Sequence, residues 1–364
     1  MAHDDVGSIT SPSRPLSVQP FVGKVSSALM SWMKPRARLL AHALAVVISL
    51  ALAELIAHVL QLGRIGGVLC LASLASLVVC ARLGWHQARF GVVGLAVLSI
   101  PAVYSQNDPL LATTVLTGTA LGLGLSVRWQ IKPAYWLMVV SLCMLITNSP
   151  LPAAPAVWDV VKLAMALLAC GSLAIVLQTQ ALTLVGSPPT PTPFAVVNSW
   201  RRSIAHAVML ATASLVTTPI ALEQHWHIAG LWLVLTPFLV LQPFVRDSWS
   251  VALHRSLGTF AGVVLVILLA HTWPPSLPLE LPAIVAGVIT VVIAVRHGHR
   301  ALMITALTAT IVLFNSSNRD LLLMADQRVQ ASALGIVIAL GLMALAHPIE
   351  RRFGGPPPRL APSP

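Results

Sequence analysis

Leu39-Leu40-Ala41-His42-Ala43-Leu44-Ala45-Val46-Val47-Ile48-Ser49-Leu50-Ala51-Leu52-Ala53-Glu54-Leu55-Ile56-Ala57-His58 decides the class of fold. The run is apolar on every helical face and carries one carboxylate, and at ~1.5 Å per residue it reaches the ~30 Å of a bilayer core. Working outward from it, similar runs cover 38–60, 65–82, 88–104, 109–127, 134–148, 157–184, 203–222, 228–245, 254–272, 279–296, 299–315 and 327–348. The composition agrees, since 9% of the 364 residues are charged and 57% are apolar, against ~25% charged in soluble proteins. Twelve spans of ~20 residues consume about 240, which leaves loops and tails but no separate catalytic domain. The expectation is an all-α polytopic membrane protein of about twelve transmembrane helices.

Charge orients the spans. With an even number of crossings, the N-tail cations, together with Arg82, Arg89, Arg128, Lys132, Arg201, Arg202, Arg246, Arg255, Arg296, Arg300, Arg351, Arg352 and Arg359, fall on one side. That side holds eighteen of the 22 Lys and Arg. Arg64, Lys162, Arg319 and Arg328 are left for the other. By the positive-inside rule both termini are then cytoplasmic. The same scatter explains the net charge of +11 without nucleic acid, because no basic stretch interleaves aromatics. The polar stretch before Arg38 has no signal-peptide pattern, so 1–37 reads as a cytoplasmic tail.

An internal repeat organises the rest. Arg38-Leu39-Leu40-Ala41-His42-Ala43 returns as Arg202-Ser203-Ile204-Ala205-His206-Ala207, and at this offset of 164 residues Gly66 falls on Gly230 and Gly94 on Gly258. Two six-helix units follow, 38–184 and 202–349, separated by a Pro-rich linker at 185–201 and followed by a disordered tail at 350–364. Because six is even, the units enter the membrane the same way round, as parallel repeats about an axis along the membrane normal.

Catalytic signatures are missing. Gly23-Lys24 is followed by Val25, so no phosphate-binding loop exists, and no His, Cys and acid constellation has catalytic spacing. Cys70, Cys80, Cys143 and Cys170 lie in apolar runs without metal-ligand spacing and read as buried thiols. Glu223, His225 and His227 alternate in a loop, a pattern that rarely holds metal. No enzyme activity, cofactor or metal is expected. Ionisable groups inside spans are costly and therefore candidates for function. Glu54 and His58, one turn apart, are candidates for proton coupling, as is Asp326. The bland reading of Glu54 and His58 is an interfacial pair. His42 and His206 occupy matching places in the two units, and the turn Arg296-His297-Gly298-His299-Arg300 is densely cationic.

The eighth span carries most information. Leu231-Trp232-Leu233-Val234-Leu235-Thr236-Pro237-Phe238-Leu239-Val240-Leu241-Gln242-Pro243 places two prolines six residues apart, which predicts a kinked or broken helix with freed carbonyls. Broken spans line substrate pathways in many transporters. Gly258 with Gly262, and Gly118 with Gly122, are spaced for close helix contact.

Trp232, Thr236, Leu241-Gln242-Pro243, Arg255-Ser256-Leu257-Gly258-Thr259 and Gly262 together resemble the fusaric acid resistance protein-like family, aromatic acid exporters of bacterial inner membranes. The resemblance continues at Arg328, Ser332 and Gly335. It is good over about 200–350 and faint over 38–184, where Val68 replaces the tryptophan and Leu77-Val78-Val79 the Leu-Gln-Pro. The resemblance implies an inner-membrane exporter of small organic or aromatic carboxylic acids, with Trp232, Thr236, Gln242, Pro243, Arg255 and Arg328 along the pathway and Gly258, Gly262 and Gly335 in helix packing. The expected partners are the organic anion and the lipid bilayer. A gated organic-anion channel, or a non-transporting scaffold assembling with a periplasmic adaptor, are the competing readings. Arg255 and Arg328, with Gln242, should matter more than Glu54. Each arginine is expected to open its span, Arg255 on the cytoplasmic side and Arg328 on the outer side, at two ends of one pathway.

Overall fold

The computed structural model describes residues 19–61, 66–129, 132–147, 151–152, 155–186, 199–224, 228–274, 278–296, 299–315 and 321–353. They form twelve α-helices: α1 Gln19–Val59, α2 Gly66–Leu83, α3 Trp85–Tyr104, α4 Pro109–Ser126, α5 Lys132–Thr147, α6 Val157–Leu184, α7 Trp200–Glu223, α8 Ile228–Val240, α9 Val245–Thr272, α10 Glu280–Val295, α11 Arg300–Asn315 and α12 Leu321–Phe353. No strand occurs among the described residues. Seven helices, α1, α3, α4, α6, α7, α9 and α12, are long and apolar enough to cross a membrane.

Local chemistry sets several boundaries. The Asp108 carboxylate accepts from the amides of Leu110 and Leu111, at 2.9 and 3.0 Å, while Pro109 fills the first helical position, so α4 starts there. Gly84, at φ 82°, turns the chain from α2 into α3 in a single residue, in a region that residues with a Cβ rarely enter.

Two of the short helices, α2 and α8, lie innermost. Val68–Cys80 of α2 and Ala229–Phe238 of α8 are buried on all sides. The long helices instead turn large apolar side chains outward, among them Leu40, Leu44 and Val47 of α1 and Leu253, Leu257 and Phe260 of α9, as a lipid-facing surface requires. α8 has thirteen residues and spans ~20 Å, short of the ~30 Å core. It is enclosed by α5, α7, α9 and α12, and irregular backbone at membrane depth is tolerated where protein surrounds it.

α2 holds the matching place among α1, α3, α5 and α6. The offset of 164 carries Val59, the end of α1, onto Glu223, the end of α7, and Val157, the start of α6, onto Leu321, the start of α12. Helices also cross between these groups, α4 packing on α7, α10 on α1 and α5 on α8. Gly124 of α4 approaches Ala207 so closely that a Cβ there would meet the Ala207 backbone. Further along this antiparallel contact, Trp129 meets Trp200 edge to face at 5.9 Å and the Arg128 guanidinium covers the same Trp200 ring at 4.6 Å.

Several boundary expectations change: α12 runs from Leu321 to Phe353, starting ahead of 327 and continuing into the expected disordered tail. α1 is helical from Gln19, inside the expected tail, and α9 begins at Val245 rather than 254, with Asp247 in its first turn, where a carboxylate favours the positive helix end. α8 runs unbroken through Pro237 and stops at Val240, so the break lies ahead of Gln242-Pro243.

Candidate functional site

The site is built around Trp232 and Thr236, one turn apart on α8. The Thr236 hydroxyl donates to the Trp232 carbonyl at 2.6 Å. Its lone pairs then accept from Arg255 of α9, from Nε at 3.3 Å and Nη2 at 3.1 Å. Pro237 supplies no amide for the Leu233 carbonyl, and beside that carbonyl runs Gly335 of α12. A Cβ on Gly335 would sit 3.0 Å from the carbonyl oxygen and 2.8 Å from the Thr236 Cβ. The missing side chain is what lets α12 come this close.

From α12, Arg328 lays its guanidinium on the Trp232 ring, 3.3 Å from the centroid, and donates from Nη2 to Thr308 of α11 at 2.7 Å. Thr308 is brought in by Gly262 of α9, where a Cβ would fall 2.6 Å from the threonine Cβ. Arg255 stands 5.9 Å from the same ring centroid. Both guanidiniums are therefore within cation–π reach of one buried indole.

Arg255 and Arg328 are only 3% and 2% exposed, yet neither forms an ion pair with a carboxylate among the described residues. Among the described residues Arg328 Nε and Nη1 have no hydrogen-bond acceptor, and one turn beyond each arginine a buried hydroxyl, on Thr259 and on Ser332, has no partner either. Two cations this close repel by about 2 kcal/mol at an effective dielectric constant of ~20, and each has also lost its water. Charge and orphan donors together are features that could hold an anion, and a guanidinium fork suits a carboxylate.

The geometry corrects the expected separation of the two arginines. Arg255 lies ten residues into α9, not at its start, and Arg328 packs inward, so the two converge on one ring instead of marking opposite ends. Trp232 and Thr236 belong to this cluster. Gln242 does not join it through its own bonds: its side-chain amide donates to the Leu239 carbonyl at 2.8 Å and its backbone amide to Ser248 Oγ at 2.8 Å, closing the end of α8 ahead of Pro243. Thr308 belongs to the site although no motif marks it.

The remaining candidates lie apart. Glu54 is exposed and accepts from the Cys70 thiol at 3.4 Å, and His58 is exposed further along α1. Asp326 is exposed and accepts from Gln330 at 2.9 Å, not from Arg328. His42 is buried against Gln178. All four cysteines are free and buried. Glu223 ends α7, whereas His225 and His227 lie outside the described residues, as does His297 of the cationic turn. Gly258 serves close packing, since a Cβ would lie 2.6 Å from the Ala301 carbonyl oxygen. Gly118 and Gly122 do not: nothing lies within 4 Å of a Cβ on either, because α4 makes its close contact with α7 through Gly124.

Residues 215–342 match the family described as fusaric acid resistance protein-like. The matched stretch begins in α7, ends in α12 and contains Trp232, Thr236, Arg255, Thr308 and Arg328. No curated protein and no solved structure matches the chain.

Proposed function

We propose that this membrane protein is a carrier that exports small organic acids, aromatic carboxylates and related toxic compounds, by coupling their movement to protons. One observation carries the reading: two buried guanidiniums share a buried indole and have no carboxylate among the described residues to neutralise them. An incoming carboxylate would supply the missing charge and occupy Arg328 Nε and Nη1. The family match over 215–342 supports the substrate class through the family's name. On this reading the chain is not an enzyme and needs no cofactor, and its partners are the organic anion and the bilayer.

The arrangement that fits is twelve crossings in two parallel six-helix units, in a bacterial inner membrane with both termini cytoplasmic. The element correspondences at the offset of 164 support it, as do the reciprocal contacts of α4 with α7 and α10 with α1. Removing the two buried arginines from the loop count leaves seventeen cations against three, so the orientation argument is unaffected. The substrate charge is met in the second unit only. At the same offset Trp232, Arg255 and Arg328 correspond to Val68, Gly91 and Ala164, which predicts one anion per chain. Glu54, His58 and Asp326 are the candidates for passing protons.

The test is flux in liposomes containing the purified full chain, with benzoate as substrate, with and without an imposed pH gradient. Uphill movement driven by the gradient is the expected result. Downhill-only movement would make the protein a gated channel, and no movement would leave a scaffold that works with a periplasmic adaptor.

A further inference from the structure

We propose that the paired arginines take a dianion, one small molecule with two carboxylates, each met by its own guanidinium. The proposal rests on the carboxylate reading above and adds the charge of the substrate.

The site is built twice. Arg255, Thr259 and Gly262 follow one another on α9 at the spacing of Arg328, Ser332 and Gly335 on α12, which puts each trio on one helical face. Each arginine donates to a threonine of a neighbouring helix, Arg255 to Thr236 of α8 at 3.1 Å and Arg328 to Thr308 of α11 at 2.7 Å. The glycines close the arrangement crosswise. Gly335 of α12 lies against Thr236, where a Cβ would come within 2.8 Å of the threonine Cβ, and Gly262 of α9 lies against Thr308, where it would come within 2.6 Å. Each threonine therefore accepts from one arginine helix and touches the other.

Both halves also keep a spare hydroxyl. Thr259 and Ser332 are 4% and 3% exposed, and among the described residues neither hydroxyl has a partner. Thr259 does not make the bond to the carbonyl one turn back that Thr290, Thr305 and Thr310 make. A guanidinium with a spare hydroxyl one turn on is thus repeated on two helices that pack together.

Charge sets the number of anionic groups. A guanidinium is permanently charged, so the two halves hold two buried positive charges. Among the described acidic side chains, Glu54, Asp108, Glu223, Asp247 and Asp326 are exposed and Asp159 pairs with Lys162. A single carboxylate would leave one buried cation uncompensated, which is expensive, and a second removes that cost. The guanidinium carbons lie 3.3 and 5.9 Å from one ring centroid, so one small molecule reaches both. Joining the two carboxylates makes the second contact intramolecular and avoids the entropy of capturing a second ion.

The experiment measures binding of phthalate, its monomethyl ester and benzoate to the purified full chain by calorimetry, in neutral detergent and a chloride-free buffer at slightly alkaline pH. Phthalate and its ester share ring and substitution but differ by one charge. Phthalate should bind at least ~10-fold more tightly than either monoanion. Arg255→Met should bring that ratio to near unity, whichever way the separate affinities move. Equal affinity for phthalate and its ester in the wild-type chain would overturn the proposal and leave the carboxylate reading standing. So would a ratio that persists in well-folded Arg255→Met, or an ester affinity that added chloride raises to that of phthalate, since the second charge would then be a separate ion. Binding of none of the three would remove the carboxylate reading and this proposal together.

Discussion

Arg328 is a cation held where cations are expensive, and that gives its replacement a distinctive signature. Arg328→Met keeps the length and apolar contact over Trp232 while removing an unpaired buried charge and its repulsion with Arg255. Thermal stability of the purified protein should hold or rise, whereas the stabilisation conferred by benzoate should disappear, with affinity down at least ~10-fold, or ~1.4 kcal/mol. A melt that collapses in Arg328→Met would show that the arginine serves packing, not an anion. Arg328→Lys and Arg255→Lys keep the charge but lose the planar fork, so both should insert normally and transport several-fold more slowly. Wild-type rates in both would sink bidentate recognition. Thr308→Val removes the acceptor that Arg328 finds among the described residues, and should weaken benzoate binding by a factor of ~5, about 1 kcal/mol, with little change in the melt. At this scale the sequence was partly legible. Trp232, Thr236 and the two arginines stand in a recognisable pattern, and a charge among apolar residues draws notice by its cost. Thr308 was illegible because threonines in these helices usually bond back to their own backbone, as Thr305 does to Ala301 and Thr310 to Ala306. Only the contact with α12 distinguishes it.

Among the elements, α8 shows what a hydropathy reading captures and what it misses. Its apolar run is unmistakable, but the expectation of a span over 228–245 assumed that lipid must be crossed by this helix alone. With protein on every side, thirteen helical residues suffice, and the two prolines separate in effect: Pro237 frees a carbonyl within the helix, while Pro243 follows its end. The start of α9 was misplaced for a related reason, since Arg246 and Asp247 look like loop residues until the helix is seen to include them. Glycine spacing was equally ambiguous, because small-xxx-small marks a capacity for close contact without saying whether a neighbour uses it. Substitution separates the two cases. Gly258→Val should destabilise the protein by ~1–3 kcal/mol, because the added carbons meet the Ala301 backbone, which cannot yield as a flexible side chain would. Gly118→Ala should be neutral or stabilising by up to ~1 kcal/mol, since the helix gains propensity and nothing is displaced. Parallel thermal melts decide, and equal losses would mean that α4 is more tightly packed than the open space beside Gly118 implies.

Across the whole molecule, the offset of 164 residues was visible in a handful of glycines and an Arg-His pair, but which helices meet across it was not, because α4 and α7 are separated in sequence by α5 and α6. Their contact is the principal bridge, with small residues at Gly124 and Ala207 and an aromatic and arginine cluster of Arg128, Trp129 and Trp200 further along. Such packing of backbones without intervening side chains is how helices associate in lipid, where hydrophobic driving force between them is absent. The contact of α1 with α10 and that of α5 with α8 add to it. If these surfaces hold the molecule together, a covalent connection between α6 and α7 is dispensable for assembly. Residues 1–186 and 199–364, expressed as separate chains in one cell, should therefore co-purify through a tag on either, and bind benzoate as the intact chain does. Gly124→Leu drives a branched side chain into the Ala207 backbone and should abolish co-purification, while Gly122→Leu, two residues away and facing open space, should not. Reporter fusions after Asp108 and after Gly186 should lie on opposite sides of the membrane, which checks that the first half is inserted as proposed before assembly is scored. If the two halves insert correctly and still fail to associate, the α4–α7 interface is not what joins them, and the connecting segment carries the architecture instead.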